Sequence, residues 1–139
     1  MAPRKSRSIL NIVLWILQAI LAAMYLMAGY QKAFGDLAIV VKTIFWVAYT
    51  PAPLVRLIGV SELLGAIGLI LPGALNIRPS MTTFAAAGLS LIMLLANLMH
   101  LYRGEFFVLP MTLMFLALDL FVAYGRWKLA PLAASSTEL

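Results

Sequence analysis

The chain has 139 residues, 64% hydrophobic and 11% charged, more apolar surface than a water-soluble domain of this size has interior to hide. Ten Lys and Arg against five Asp and Glu give a net charge of +5, but the cations flank apolar runs without a basic helix or aromatic platform, which argues against nucleic-acid binding. No cysteine is present, so disulfides, thiolate metal sites and dithiol chemistry carried by this chain alone are excluded.

The apolar residues fall into runs of roughly 18 to 24, the length that crosses a bilayer, separated by clusters of Pro, Gly and charge. This pattern predicts an all-α membrane protein, a bundle of four transmembrane helices in a single domain over residues 1–139, in contact with the lipid bilayer. Arg4, Lys5 and Arg7 precede the first predicted span, residues 9–29, which carries Asn11, Trp15, Gln18 and Tyr25. The basic start is like that of a signal peptide, but the apolar run is too long and no small-residue cleavage pattern follows, so the segment is expected to stay as the first helix. A polar stretch, residues 29–36, ends it.

Residues 37–49 are apolar but too short to cross and are broken by Lys42, which predicts a short interfacial helix or re-entrant segment with Trp46 and Tyr49 at headgroup level. Thr50-Pro51-Ala52-Pro53 is a stop, because proline fixes φ, lacks its donor and pushes the preceding residue out of helical conformation. The second span is predicted at residues 54–72, ending on Pro72-Gly73. A short link follows at residues 76–80. The third span, residues 81–101, contains Ala85-Ala86-Ala87-Gly88, and with Gly65 and Gly68 these small residues suit close helix approach. Residues 102–105 form a tight turn before a fourth span at residues 106–124, with Pro110 near its start, where a missing N–H costs little. Residues 130–139 read as a flexible tail.

Four spans place both termini on one side. Six cations, Arg4, Lys5, Arg7, Arg78, Arg126 and Lys128, fall on that side and four, Lys32, Lys42, Arg56 and Arg103, on the other, which favours cytoplasmic termini.

Charged groups at membrane depth cost at least a few kcal/mol each, so each needs a reason. Lys32 lies just past the outer end of the first span, Arg56 in the first turn of the second, and His100 at the outer end of the third. Glu62 stands roughly 12 Å along the second span from that same end. Asn97 shares a helix face with His100. Lys32, Arg56, Glu62, Asn97 and His100 are therefore the candidate ligand-binding residues, a carboxylate, cations and an imidazole able to meet in one pocket. The alternative is structural: Glu62 pairs with Lys32 or Arg56 to fasten the bundle and His100 sits wet at the interface. Asp119, about two turns from the inner end of the fourth span, has Tyr124, Asn11, Gln18 or Arg126 as candidate partners. One His makes no multi-His metal site, and neither a phosphate loop nor a Ser–His nucleophile is present, so no metal or catalysis is expected of this chain alone.

Gly29-Tyr30-Gln31-Lys32-Ala33-Phe34-Gly35 is similar to a G-x-x-K-[LF]-x-G element, with Ala33 where a larger apolar residue is usual. The run from Gly59 through Glu62, Gly65, Gly68 and Leu69 to Pro72 is similar to G-x-x-E-x-x-G-x-x-G-L-x-x-P. Residues 96–105, with His100 and Arg103-Gly104-Glu105, add a third likeness. On these motifs the chain resembles the DoxX and DoxX-like family of small four-helix membrane proteins, over about residues 9–126. The resemblance implies a bacterial-type cytoplasmic (inner) membrane and company with oxidoreductases, the namesake being associated with a thiosulfate:quinone oxidoreductase. Vitamin K epoxide reductase-like fold relatives use cysteines that this chain lacks. By motif, Lys32, Glu62 and His100 carry over as site positions.

Two roles are expected from this. One is an accessory subunit of a membrane redox or other assembly, with membrane protein partners and a quinone-like or lipid-soluble molecule at the outer polar cluster. The other is a small-molecule binding or proton-linked transport protein acting as a homodimer or larger homo-oligomer.

Overall fold

The computed structural model describes residues 4–133. It is all-helical, with no strand among the described residues. The order is α1 (Arg4–Phe34), α2 (Leu37–Val40), a 3-10 turn (Phe45–Tyr49), α3 (Ala52–Ala74), α4 (Ser80–Tyr102) and α5 (Leu109–Tyr124), extended by a π-helical turn (Gly125–Leu129). Four stretches are long and apolar enough to cross a membrane: Lys5–Phe34, Ala52–Ala74, Ser80–Tyr102 and Leu109–Leu129. The first three predicted spans fall inside these and the fourth overlaps its stretch, with two shifts at the ends. The first helix runs through the polar stretch to Phe34, so Lys32 sits in its last turn and not beyond it. The fourth starts later and ends later than residues 106–124, carrying Arg126 into the bundle.

The helices alternate in direction and pack in the order α1, α3, α4, α5, with α5 closing against α1. One core of Leu14, Leu21, Tyr25, Ala66, Leu69, Leu89, Met93 and Val122 runs through the centre, while the large apolar side chains on the outward faces are exposed, as a bilayer requires. Small residues set the helix spacing. A Cβ on Gly59 would stand 2.5 Å from the backbone nitrogen of Ala33 and 2.8 Å from the Gly29 carbonyl oxygen, so α1 and α3 touch backbone to backbone. At Gly68 an added Cβ would stand 2.6 Å from the Cβ of Ala85 of α4, so this pair of small residues sets the approach of α3 and α4. Gly88 does not take part, since a Cβ there meets nothing within 4 Å.

Both long-helix ends that lead into tight links use the same device. After α3, Asn76 adopts φ 53°, its N–H donates to Gly73 O, and Ile77 N donates to Pro72 O at 3.1 Å. After α4, Gly104 adopts φ 72°, its N–H donates to Leu101 O, and Glu105 N donates to His100 O at 2.9 Å. These are Schellman caps, which satisfy orphan carbonyls by reversing the chain through one left-handed residue.

Residues 37–49 form a cap over the end of the bundle away from the termini, hereafter the loop end. Asp36 N-caps α2 through a bond from Ala38 N. Val40 and Val47 are buried against Val55 of α3, with Leu37, Ile44 and Trp46 around them. This small separate core gives the expected interfacial segment its fixed position, while Tyr49 stays exposed. Ala130, at the start of the expected tail, is buried, and residues 134–139 lie outside the described residues.

Candidate polar site at the loop end

Lys32 and Glu62 face each other across the glycine contact of α1 and α3. Gly29 and Gly59 each lie three residues before one of them, and the close approach they permit brings the two side chains into reach. Lys32 Nζ donates to Glu62 Oε1 at 2.5 Å and also pairs with Oε2. Both residues are buried, at 5% and 2% exposed, and the Trp46 ring lies 5.7 Å from the ammonium. Mutual neutralisation is what allows two charges to remain there.

Arg56 does something else. Its Nη1 donates to Lys32 O at 3.0 Å and Gly35 O at 2.7 Å, binding carbonyls at the C-terminal end of α1 where a cation also meets the negative end of the helix dipole. It is a helix cap, not a partner of Glu62. His100 likewise has its own carboxylate: Nδ1 lies 2.5 Å from Glu105 Oε2. Asn97 donates to Met93 O and accepts from Thr112 Oγ1 of α5, both at 2.8 Å, which locks α4 to α5 one turn below His100.

All five expected residues thus gather at the loop end, but as separate pairs. The cap connects them. Phe45 stacks at a tilt on His100, with centroids 6.3 Å apart, and on Phe107 at 5.2 Å, while its neighbour Trp46 covers Lys32. Arg103 Nη2 donates to Tyr49 O at 3.0 Å and ties down the far end of the cap. Glu105, Phe45 and Thr112 were not expected. Gly104 is the signal for Glu105, because a left-handed glycine after a helix turns the next residue back toward the third-last helical residue, here His100.

Below this end a second polar group fills the bundle interior. Tyr25 donates to Asp119 Oδ2 at 2.5 Å, so Asp119 has a partner none of the expected candidates supplied. Asn11 and Gln18 bind Arg126 instead: Nε donates to Gln18 Oε1 and Nη1 to Asn11 Oδ1, each at 2.6 Å, with Nη1 also reaching Ala130 O. Gln18 Nε2 in turn donates to Leu69 O. Arg126, expected as a flanking charge, is 2% exposed and lies over Trp15. The signal is spacing: Asn11, Gln18, Tyr25 and Lys32 on α1 and Thr112, Asp119 and Arg126 on α5 repeat every seven residues, one stripe on each helix of an antiparallel bundle. Among the described residues no three His, Cys, Asp or Glu gather as a metal site would need.

Four apolar helices around a core of paired polar groups define a multi-pass integral membrane protein. The model of the DoxX-like family matches residues 16–122, and the chain belongs to that family. No curated protein and no solved structure matches it.

Proposed function

We propose that this protein is an accessory subunit of a membrane redox or other assembly, a single transmembrane domain whose loop-end cluster holds a quinone-like, lipid-soluble molecule. The observation that carries the reading is the buried Lys32–Glu62 pair beneath the aromatic cap. A buried ion pair stabilises no better than an apolar replacement of the same shape, so a chain this poor in charge has a reason other than stability to keep one. Lys32 and His100 are donors suited to carbonyl oxygens, and Phe45 and Trp46 offer flat apolar faces at the same place. The same reading sets the protein in a bacterial-type cytoplasmic membrane with cytoplasmic termini and the cluster facing outward.

The test is native mass spectrometry of the protein drawn gently from its own membrane, comparing wild type with Lys32→Met/Glu62→Leu, a substitution that leaves no buried charge behind. The reading expects a heteromeric complex with redox proteins and a small apolar molecule that the double variant no longer retains. A bundle that arrives alone and empty overturns it. Retention of the molecule by the double variant removes the site. A second reading, a small-molecule binding or proton-linked transport protein acting as a homodimer, is favoured by the polar stripe continuing through the interior to Arg126. A monodisperse homodimer that carries the ligand selects it.

A further inference from the structure

At the opposite end of the bundle, between the start of α4 and the π-helical turn after α5, lies a cavity of about 790 Å³, within the ~300–1,000 Å³ usual for small-ligand sites. Its walls divide by chemistry. Arg78, Ser80 and Thr83 line one side and Arg126 and Trp127 the other, while Phe84 and Ala87 continue along α4 into the membrane-spanning region. Among the described residues no acidic side chain lines it.

We propose that this groove binds the headgroup of an anionic phospholipid, its phosphate between Arg78 and Arg126 and its acyl chain along Phe84 and Ala87. Three observations support that occupant. The cavity opens where the α4 span begins and the fourth span ends, the depth of a phosphate headgroup, and Trp127 is 61% exposed there as interfacial tryptophans are. Arg126 supplies a buried cation with capacity to spare: Nε and Nη1 are fully engaged, but among the described residues Nη2 bonds only to Asn11 O at 3.5 Å, the limit of a hydrogen bond. Arg78 is exposed and free to swing over the opening, and a planar guanidinium binds a phosphate in bidentate fashion. A soluble phosphate would use the cations but not the apolar wall. An uncharged lipid would use the wall but not the cations.

The experiment titrates the purified protein in detergent with phosphatidylglycerol or phosphatidylcholine of identical acyl chains and reads bound lipid by native mass spectrometry. Arg78 has φ 47°, so the informative variant is Arg78→Asn, because asparagine tolerates that backbone. The proposal expects phosphatidylglycerol to bind more tightly than phosphatidylcholine, with the preference falling about fivefold in Arg78→Asn, the size of one basic contact to an anionic lipid. It also expects the preference to be unchanged in Lys5→Gln/Arg7→Gln, and inorganic phosphate at millimolar level not to displace the lipid. If Arg78→Asn fails to fold, Ala87→Phe fills the apolar wall and must lower retention by itself. Equal binding of the two lipids, a preference indifferent to both groove variants, or one lost equally with Lys5 and Arg7 overturns the proposal. Displacement by inorganic phosphate also overturns it and assigns the cations to a soluble anion.

Discussion

Removing one member of the Lys32–Glu62 pair leaves the other charged and buried, which costs about 3–5 kcal/mol in a protein interior. Glu62→Gln and Lys32→Met should therefore each lower the thermal midpoint of the purified protein by many degrees, whereas Lys32→Met/Glu62→Leu should recover most of it. A double variant no more stable than either single one would mean that the pair fastens the bundle by itself. Tyr25 poses a smaller question of the same kind. Its hydroxyl donates to Asp119, which is 0% exposed and whose Oδ1 has no partner among the described residues, so Tyr25→Phe strips the carboxyl group of the side-chain bond they provide. Interhelical hydrogen bonds in membrane proteins are worth about 0.6 kcal/mol on average and at most about 1.7, and Tyr25→Phe should reduce resistance to denaturant by an amount in that range. The sequence reading brought the five residues to one end of the bundle, because helix rise fixes position along a helix, but it set Lys32 past the first span where the structure has it in the last turn of α1. It did not resolve the pairs, because pairing depends on side-chain direction at helix ends, where Arg56 turns to the carbonyls of α1 and the Gly104 turn hands Glu105 to His100.

At the scale of elements, the four spans were legible because apolar length is a strong signal and Pro51, Pro53 and Pro110 mark helix starts that a missing N–H suits. The ends were less so. The polar run after Gly29 reads as a loop, yet α1 continues because Arg56 caps it and Gly59 packs against it, both contacts made by a helix distant in sequence. The π-helical turn was likewise invisible: it pulls the N–H of Ala130 onto Gly125 O at 2.7 Å and turns Arg126 inward, where Asn11 and Gln18 await it. Gly59 and Gly88 make a matched test of what packing requires of α3 and α4. Gly59→Ala drives a methyl group into the backbone of α1, an overpacking that costs about 1–3 kcal/mol, and should lower the yield of folded protein. Gly88→Ala enters open space and gains helix propensity, so its yield and unfolding midpoint should match wild type or exceed it. Loss of folding with Gly88→Ala would place that face against another protein chain instead of lipid.

Across the whole molecule the buried cations are each engaged inside the bundle, Lys32 with Glu62 at one end and Arg126 with Gln18 and Asn11 toward the other. Orientation is then left to the surface cations. Arg56 and Lys32 are tied to α1 and α3 and Arg126 to α1, so exposed Lys5, Arg7, Arg78 and Lys128 stand at the terminal end against exposed Lys42 and half-buried Arg103 at the loop end. The excess at the terminal end is the asymmetry that holds short segments on the cytoplasmic side. Because the chain has no cysteine, single cysteines report orientation without background. Lys42→Cys and Tyr102→Cys, both exposed at the loop end, should react with a membrane-impermeant maleimide on intact cells. Ser6→Cys, exposed at the terminal end, should react only after the membrane is opened. The reverse pattern would turn the Lys32–Glu62 cluster toward the cytoplasm. Labelling of all three on intact cells would mean that the chain inserts in both orientations, as expected if the bias of surface cations toward the terminal end is too weak to fix one.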